Sequence, residues 1–233
     1  MIKLGVPSKG RLMEKTFEWF GNRGITLKRS GSEREYAGAV EGAEGVSLVL
    51  LSAGEIPREL AAGRIHLGVT GSDLVREKLA DWDSQVTSLA PMGFGYADLI
   101  IAVPDCWADV DCLEDLDAVA HRFRATHGFR LRIATKYHRL VRDFLTRQGV
   151  ADWQLVDSQG ATEGTIANLT AEAIADITSS GETLRANHLK ILSDGLIHQS
   201  QATLFAARAA DWTGQQGDFA VLVHQLGLDA AKL

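Results

Sequence analysis

The sequence predicts an α/β protein of two lobes, each built on a mixed, mainly parallel sheet, with two strands crossing between the lobes. Three observations predict it. Short apolar runs rich in β-branched residues alternate along the whole chain with stretches of helical period. Glycines stand at most of the junctions between them, as strand–turn–helix units require. No repeat, low-complexity tract or proline-rich linker interrupts the 233 residues, which hold only four prolines, so a second lobe has to be entered and left on continuous strands.

The elements follow in order. Residues 2–7, IKLGVP, read as a strand. In SKGRLMEKTFEWFGNRG, Leu12, Thr16, Phe17 and Phe20 recur at helical spacing, and Gly21 and Gly24 stop the helix. VSLVLLS (46–52) is a strand and EIPRELAAGR (55–64) a short helix closed by Gly63. IHLGVTGS (65–72) is a strand with a glycine turn, and DLVREKLADW (73–82) is a helix. VTSLAPMG (86–93) and YADLIIAVP (96–104) are strands. LEDLDAVAHRFRATHG (113–128) is a helix ending at glycine, LRIATKY (131–137) a strand, and HRLVRDFLTRQG (138–149) a helix with Leu140, Val141, Phe144 and Leu145 on one face. WQLVDSQG (153–160) is a strand and turn, TEGTIANLTAE (162–172) a helix, and AIADITS (173–179) a strand. Residues 189–208 read as one extended segment broken near Gly195, and 218–233 as a terminal helix. YADLIIAVP is the expected outward crossing and ANHLKIL the return. Lobe I is therefore residues 1–95 with 189–233, and lobe II is 96–188. A ligand cleft is expected between two such lobes, where strand ends and helix N-termini meet.

Composition narrows the function class. The chain is 45% hydrophobic and 23% charged, with a net charge of −6, which is ordinary for a globular protein and unlike a general nucleic-acid binder. No apolar run reaches the length of a membrane span, and the N-terminus lacks a signal-peptide pattern, so a cytoplasmic protein without membrane contact is expected. Cys106 and Cys112 make neither a disulfide framework nor a zinc site. The seven histidines show no metal-ligand spacing, and no protein-held metal is expected. The P-loop, the G-x-S-x-G elbow, C-x-x-C and H-E-x-x-H are all missing.

Four stretches carry chemistry. The apolar run ending at Asp176-Ile177 opens into Thr178-Ser179-Ser180-Gly181-Glu182-Thr183. Three readings stand for it. It is an N-cap cluster with spare hydroxyls, a flexible linker, or a cradle in which hydroxyls, backbone N–H groups and the helix dipole hold a phosphate. Asp176, just upstream, suits the hydroxyls of a sugar. In SKGRL (8–12), Lys9 and Arg11 sit at a helix N-terminus, where cations oppose the dipole. An anionic ligand would resolve that conflict, and a solvated basic turn is the alternative. VTGSDL (69–74) reads as a capped helix start. In ATKYHR (134–139), Lys136 suits a phosphate and Tyr137 a base, and both equally suit the surface.

Taken in order, SKGRL, EIP, GVTGSDL, MGFGYADLIIAVP, IATKY and Glu163…AIADITSSGETLRAN resemble the ATP phosphoribosyltransferase family, the first enzymes of histidine biosynthesis. The resemblance spans nearly the whole chain and is most specific over Glu163, Ala171, Ile174, Asp176, Ser180-Gly181, Thr183 and Leu184. It implies transfer of the phosphoribosyl group of phosphoribosyl pyrophosphate to N1 of ATP, with magnesium bound to substrate. It implies that the 178–183 loop holds the 5-phosphate, that Asp176 and Glu163 lie by the ribose hydroxyls, and that Lys9 and Arg11 face pyrophosphate or triphosphate oxygens. Those four are the candidate catalytic residues. The length resembles the short form of the family, which works with a regulatory subunit similar to histidyl-tRNA synthetase, and an oligomer is expected. Four positions depart from the family pattern: Leu169 for a glycine, Ser52 for an arginine, His66 for an acid and His138 for a proline. With serine at position 52, a basic group for substrate would have to come from Arg29, Arg34 or Arg58. The two-lobed arrangement is also that of type II periplasmic binding proteins, and a non-catalytic protein binding a small ligand is the alternative function.

Overall fold

The computed structural model of the chain describes residues 1–29, 37–158 and 160–228. Arg34 lies outside them, as does the end of the expected terminal helix. The elements before the first crossing are β1 (Ile2–Pro7), α1 (Gly10–Gly21), β2 (Thr26–Arg29), β3 (Ala37–Glu41), β4 (Val46–Leu51), α2 (Ile56–Ala61), β5 (Leu67–Gly71), α3 (Ser72–Lys78), α4 (Trp82–Gln85) and β6 (Val86–Pro91). There follow β7 (Ala97–Pro104), α5 (Leu113–His127), β8 (Leu131–Thr135), α6 (His138–Arg147), β9 (Trp153–Asp157), α7 (Gly164–Ala167), β10 (Ala173–Thr178), α8 (Glu182–Ala186) and β11 (Leu189–Ser200). The chain closes with β12 (Ala202–Ala207) and α9 (Gln216–Gln225).

Two compact units result: residues 1–95 with the chain from Gln201 onward, and residues 96–200. The first holds a sheet ordered β2-β3-β4-β1-β5-β12-β6, the second a sheet ordered β11-β7-β10-β8-β9. Both sheets are mixed, but less parallel than expected. Parallel pairing is confined to β4-β1-β5 and to β10-β8-β9, while every other ladder among the described residues is antiparallel. Parallel neighbours here are those joined through helices, whereas the antiparallel pairs are β2–β3 and β3–β4, β10 on β7, and the returning strands β11 and β12 on their neighbours.

The return crossing falls later than the sequence reading placed it. Residues 189–200 belong to the second sheet, because β11 pairs with β7 from Leu189↔Pro104 to Ser200↔Ala97. The register slips between Ile191 and His198, around Gly195, where a Cβ would lie 3.1 Å from the Ile101 carbonyl. The expected long helix over 162–172 shrinks to α7, because Leu169 turns left-handed at φ 57°. The β2–β3 hairpin was not read from the sequence.

Each unit has its own core. In the first, Ile2, Leu4 and Val6 of β1, Leu48 and Leu50 of β4, and Leu204 of β12 pack with Trp19 and Phe20 of α1 and Phe219 and Leu222 of α9. The opposite side of that sheet is closed by Ile56, Leu60 and Val75 of α2 and α3 against Phe205. In the second, Ile100, Ala102, Ala134 and Ile174 pack under Leu184 of α8, with Ile166 of α7 beside them. No helix among the described residues is long and apolar enough to cross a membrane.

Candidate functional site

Strand β10 sets the geometry of the second unit's site. Ala173, Ile174 and Ala175 are buried between β7 and β8, and burial gives way at Asp176. Alternation puts Ile174, Asp176 and Thr178 on one face, the face that carries α7 and α8. Asp176 is half-buried there, and its Oδ1 accepts the N–H of Ile177 at 2.8 Å. Across the ladder, Asp98 of β7 stands opposite Thr178, and Gln199 of β11 flanks Asp98 on its other side. The sequence reading missed Asp98. A lone acid inside the apolar run YADLIIAVP was the available signal.

Beyond Thr178 the chain turns tightly. Gly181 adopts φ 71°, ψ 3°, a left-handed conformation that side chains with a Cβ disfavour. Its N–H donates to the Thr178 hydroxyl at 3.0 Å, and Arg185 Nη2 donates to the Ser180 carbonyl at 3.1 Å. Ser179, Ser180, Glu182 and Thr183 are exposed at the tip. Helix α8 has only five residues, so its dipole is small. Donors for an anion here are the hydroxyls and the first N–H groups, which lack intrahelical acceptors.

Glu163 precedes α7 and is half-buried, and its side chain caps nothing. The segment before it is tied down by a buried hydroxyl pair, Ser158 Oγ to Thr162 Oγ1 at 2.9 Å. Lys136 Nζ donates to the Gly160 carbonyl in the same segment. Tyr137 departs from expectation. It is only 6% exposed, so its ring packs inside the unit and has no open face for a base.

In the first unit, Lys9 is the N-cap residue of α1, and Arg11 lies in its first turn. That turn contains no acidic residue and no side-chain cap, so the free N–H groups and two exposed cations stand together. Arg29 reaches the same turn from β2, where its Nη2 donates to the Ser8 carbonyl at 2.8 Å, while its buried Nε has no acceptor. The Gly71–Ser72 turn starts a helix, but Gly71 rather than Ser72 or Asp73 is the N-cap residue and no side chain caps it, while Thr70 Oγ1 donates to the Ala53 carbonyl at 2.8 Å. No group of three or more His, Cys, Asp or Glu side chains is gathered as a metal site among the described residues.

Comparison with known proteins decides the family. The family model described as ATP phosphoribosyltransferase matches residues 52–227. An ATP phosphoribosyltransferase of Cereibacter sphaeroides is 76% identical over 227 residues, covering 97% of this chain and 96% of that protein. The chain belongs to the ATP phosphoribosyltransferase family. The enzyme of that name from Mesorhizobium japonicum is 47% identical over 97% of this chain and 98% of its own length. That from Afipia carboxidovorans is 49% identical over 94% of this chain but 68% of its own length. Among solved structures, an ATP phosphoribosyl transferase (HisG:HisZ) complex from Thermotoga maritima superposes with TM-score 0.74 at 20% identity, covering 97% of this chain and 96% of that one. The alkanesulfonate-binding protein SsuA of Xanthomonas axonopodis pv. citri gives TM-score 0.51 at 15% identity, covering 97% and 71%. At those identities both likenesses show the fold alone, that of type II periplasmic binding proteins. The chain's activity is accordingly that of an ATP phosphoribosyltransferase, the first step of histidine biosynthesis, and the reading as a non-catalytic binding protein is not favoured.

Family membership gives the four departures a physical setting. Leu169 occupies the left-handed position for which a glycine is usual, and its carbonyl accepts Arg132 Nη2 at 3.0 Å. Ser52 lies in the turn before α2 and donates its N–H to Glu55 Oε2 at 3.0 Å, and hydrogen bonding to Ser52 holds the Glu55 carboxyl below its ordinary range. His66 is a buried brace. Its Nδ1 accepts the Lys3 N–H at 3.2 Å, which leaves Nε2 as the donor to the Asp211 carbonyl at 3.0 Å. His138, at the start of α6, lies 3.8 Å from Asp157.

Proposed function

We propose that the second unit holds phosphoribosyl pyrophosphate. In this reading the 178–183 loop takes the 5-phosphate, and Asp176 with Glu163 takes the ribose hydroxyls. Lys9 and Arg11 of the first unit face pyrophosphate or triphosphate oxygens. The adenine N1 of ATP attacks the anomeric carbon, the bond from that carbon to the pyrophosphate oxygen breaks, and the electron pair leaves with pyrophosphate. No protein nucleophile is required. The protein aligns two anionic substrates and keeps fixed donors where charge develops.

The observation that carries this reading is the turn after Asp176. A left-handed Gly181 and a run of exposed hydroxyls follow a strand whose helix-bearing face ends in a half-buried carboxylate. Glu182 contributes its backbone only, since a carboxylate side chain repels a phosphate. Magnesium bound to the pyrophosphate substrate would offset charge on the leaving group. Asp176 and Asp98 share the face that would meet it, which fits an ion that keeps its waters and takes one or two carboxylates alongside phosphates. A neighbour solved as a HisG:HisZ complex supports a histidyl-tRNA-synthetase-like regulatory partner, and with it an oligomer. A cytoplasmic location suits soluble substrates of this kind.

The test is a spectrophotometric assay of phosphoribosyl-ATP formation with ATP, phosphoribosyl pyrophosphate, magnesium and pyrophosphatase. Asp176→Asn keeps an oxygen for the Ile177 N–H and removes the charge. It should lower kcat/KM for phosphoribosyl pyrophosphate by about 10- to 100-fold while leaving Tm near wild type. Gly181→Val should abolish binding of that substrate. Unchanged kinetics in both variants would remove the site from this loop.

A further inference from the structure

We infer that Arg185 is a positioning residue for phosphoribosyl pyrophosphate, acting by pinning the peptide plane between Ser180 and Gly181. This inference rests on the loop reading above. The Ser180 carbonyl and the Gly181 N–H belong to one peptide unit, and both ends of it are held. Arg185 Nη2 donates to the carbonyl at 3.1 Å, and the Thr178 hydroxyl accepts the N–H at 3.0 Å. The side-chain contact from Ser180 in the turn is long, Glu182 N to Ser180 Oγ at 3.4 Å.

A plane next to glycine needs such holding. Gly181 populates both signs of φ readily, so the unit before it can flip at little steric expense. A flip would exchange a donor for a carbonyl oxygen, and a carbonyl dipole turned toward a phosphate repels it. Arg185 reaches this point because it lies four residues after Gly181 in α8, and helical side chains lean back over the preceding turn. Its backbone N–H also donates to the Gly181 carbonyl at 3.0 Å. The guanidinium lies so close that a Cβ on Gly181 would sit 3.0 Å from Nη1. Glycine at 181 is favoured by the left-handed turn, and a Cβ there would also crowd the end of the Arg185 side chain.

Burial does not explain this placement, since Arg185 is exposed. No ion pair explains it either, because among the described residues no carboxylate lies within salt-bridge distance of Arg185. The hydrogen bond to Ser180 is what its side chain does. Thr178 takes the matching role at the other end: its hydroxyl oxygen accepts from the loop, which leaves its O–H to donate to a phosphate.

The experiment compares Arg185→Ala, Arg185→Gln and Arg185→Lys in the full chain, with KM measured separately for each substrate. Arg185→Ala should raise KM for phosphoribosyl pyrophosphate about tenfold, leaving KM for ATP within about twofold and Tm unchanged. Arg185→Gln, a neutral donor to the same carbonyl, should recover most of that loss. An alanine variant with wild-type KM overturns the inference, as does a glutamine variant no better than alanine when lysine restores binding, because that pattern marks a direct charge contact with phosphate. Gly181→Val separates the two levels. If it abolishes binding while Arg185→Ala changes nothing, only the pinning fails. If neither variant alters binding, the loop reading fails with it.

Discussion

Leu169 is 80% exposed and stands at φ 57°, a conformation that costs a residue with a Cβ about 1–2 kcal/mol. Its side chain gains no packing in exchange, and the backbone groups that matter, its N–H to the Ile166 carbonyl and its carbonyl to Arg132, are ones a glycine supplies equally. Leu169→Gly should therefore stabilise the protein, partly offset by the greater freedom of glycine in the unfolded chain. A net gain of about 1 kcal/mol would raise Tm by about 2–4 °C in a protein of this size. A lower Tm in thermal denaturation would show that Leu169 makes a contact worth more than the strain. The sequence marked this position as a departure from a glycine. It did not reveal that the turn keeps the glycine conformation, because φ is a property of the folded backbone. Asp98 escaped for a related reason, since its meaning lies in the register that sets it opposite Thr178. Tyr137 failed in the other direction. An aromatic beside a lysine looks like a binding pair in sequence, but the turn after β8 makes Tyr137 the N-cap residue of α6 and buries its ring.

At the scale of elements, α5 shows how the second unit is assembled. Its N-terminus is closed from outside and from within. Asp194, in the irregular part of β11, accepts the Leu113 N–H at 2.8 Å, and Ser193 donates to the Asp111 carbonyl through both its N–H and its hydroxyl. Asp115 Oδ2 accepts the N–H groups of Asp111 and Cys112. Asp194→Ala should cost about 1 kcal/mol as a lost cap. Its Tm should fall while kinetics stay at the wild-type level, since the cap lies by the Pro104 end of β7 and the 178–183 loop by the Asp98 end. Lost activity at full stability would mean that the two ends of the sheet are coupled. Asp115 adds a pH dependence of known sign. Hydrogen bonds from the Asp111 backbone, and then from Cys112, lower its pKa. Its contribution is thus complete above the unfolded value of about 3.9 and fades as pH falls through the lower folded value. The Tm gap between wild type and Asp115→Ala should be constant near neutrality and shrink in acid. A gap that widens in acid would reverse the assignment. The sequence displayed α5 through its period and Gly128, but its cap comes from residues some eighty positions later, which no local pattern announces.

For the whole molecule, the alternation of strands and helices carried the α/β class and the two units, because each element signals its own burial period. The sheet order was not legible. β2–β3 is too short and too polar to stand out, and β11 with β12 reads as one extended run until pairing assigns the two strands to different sheets. The same limit applies to assembly. The chain spans almost the full length of the Cereibacter relative but about two thirds of the Afipia one, so the family carries its catalytic core in proteins of different extent. Binding and turnover should then be separable. If the 178–183 loop, Asp176 and Glu163 hold phosphoribosyl pyrophosphate as proposed, then at 100 times its Kd it should stabilise the chain alone by about 2.7 kcal/mol, read as a raised Tm. Turnover should increase when the proposed histidyl-tRNA-synthetase-like subunit is added. A ligand-induced Tm rise with turnover indifferent to the partner would mean that the chain is catalytically self-sufficient. No Tm rise without the partner would mean that the partner shapes the binding site itself, and that the loop after Asp176 reaches its binding conformation only in the complex.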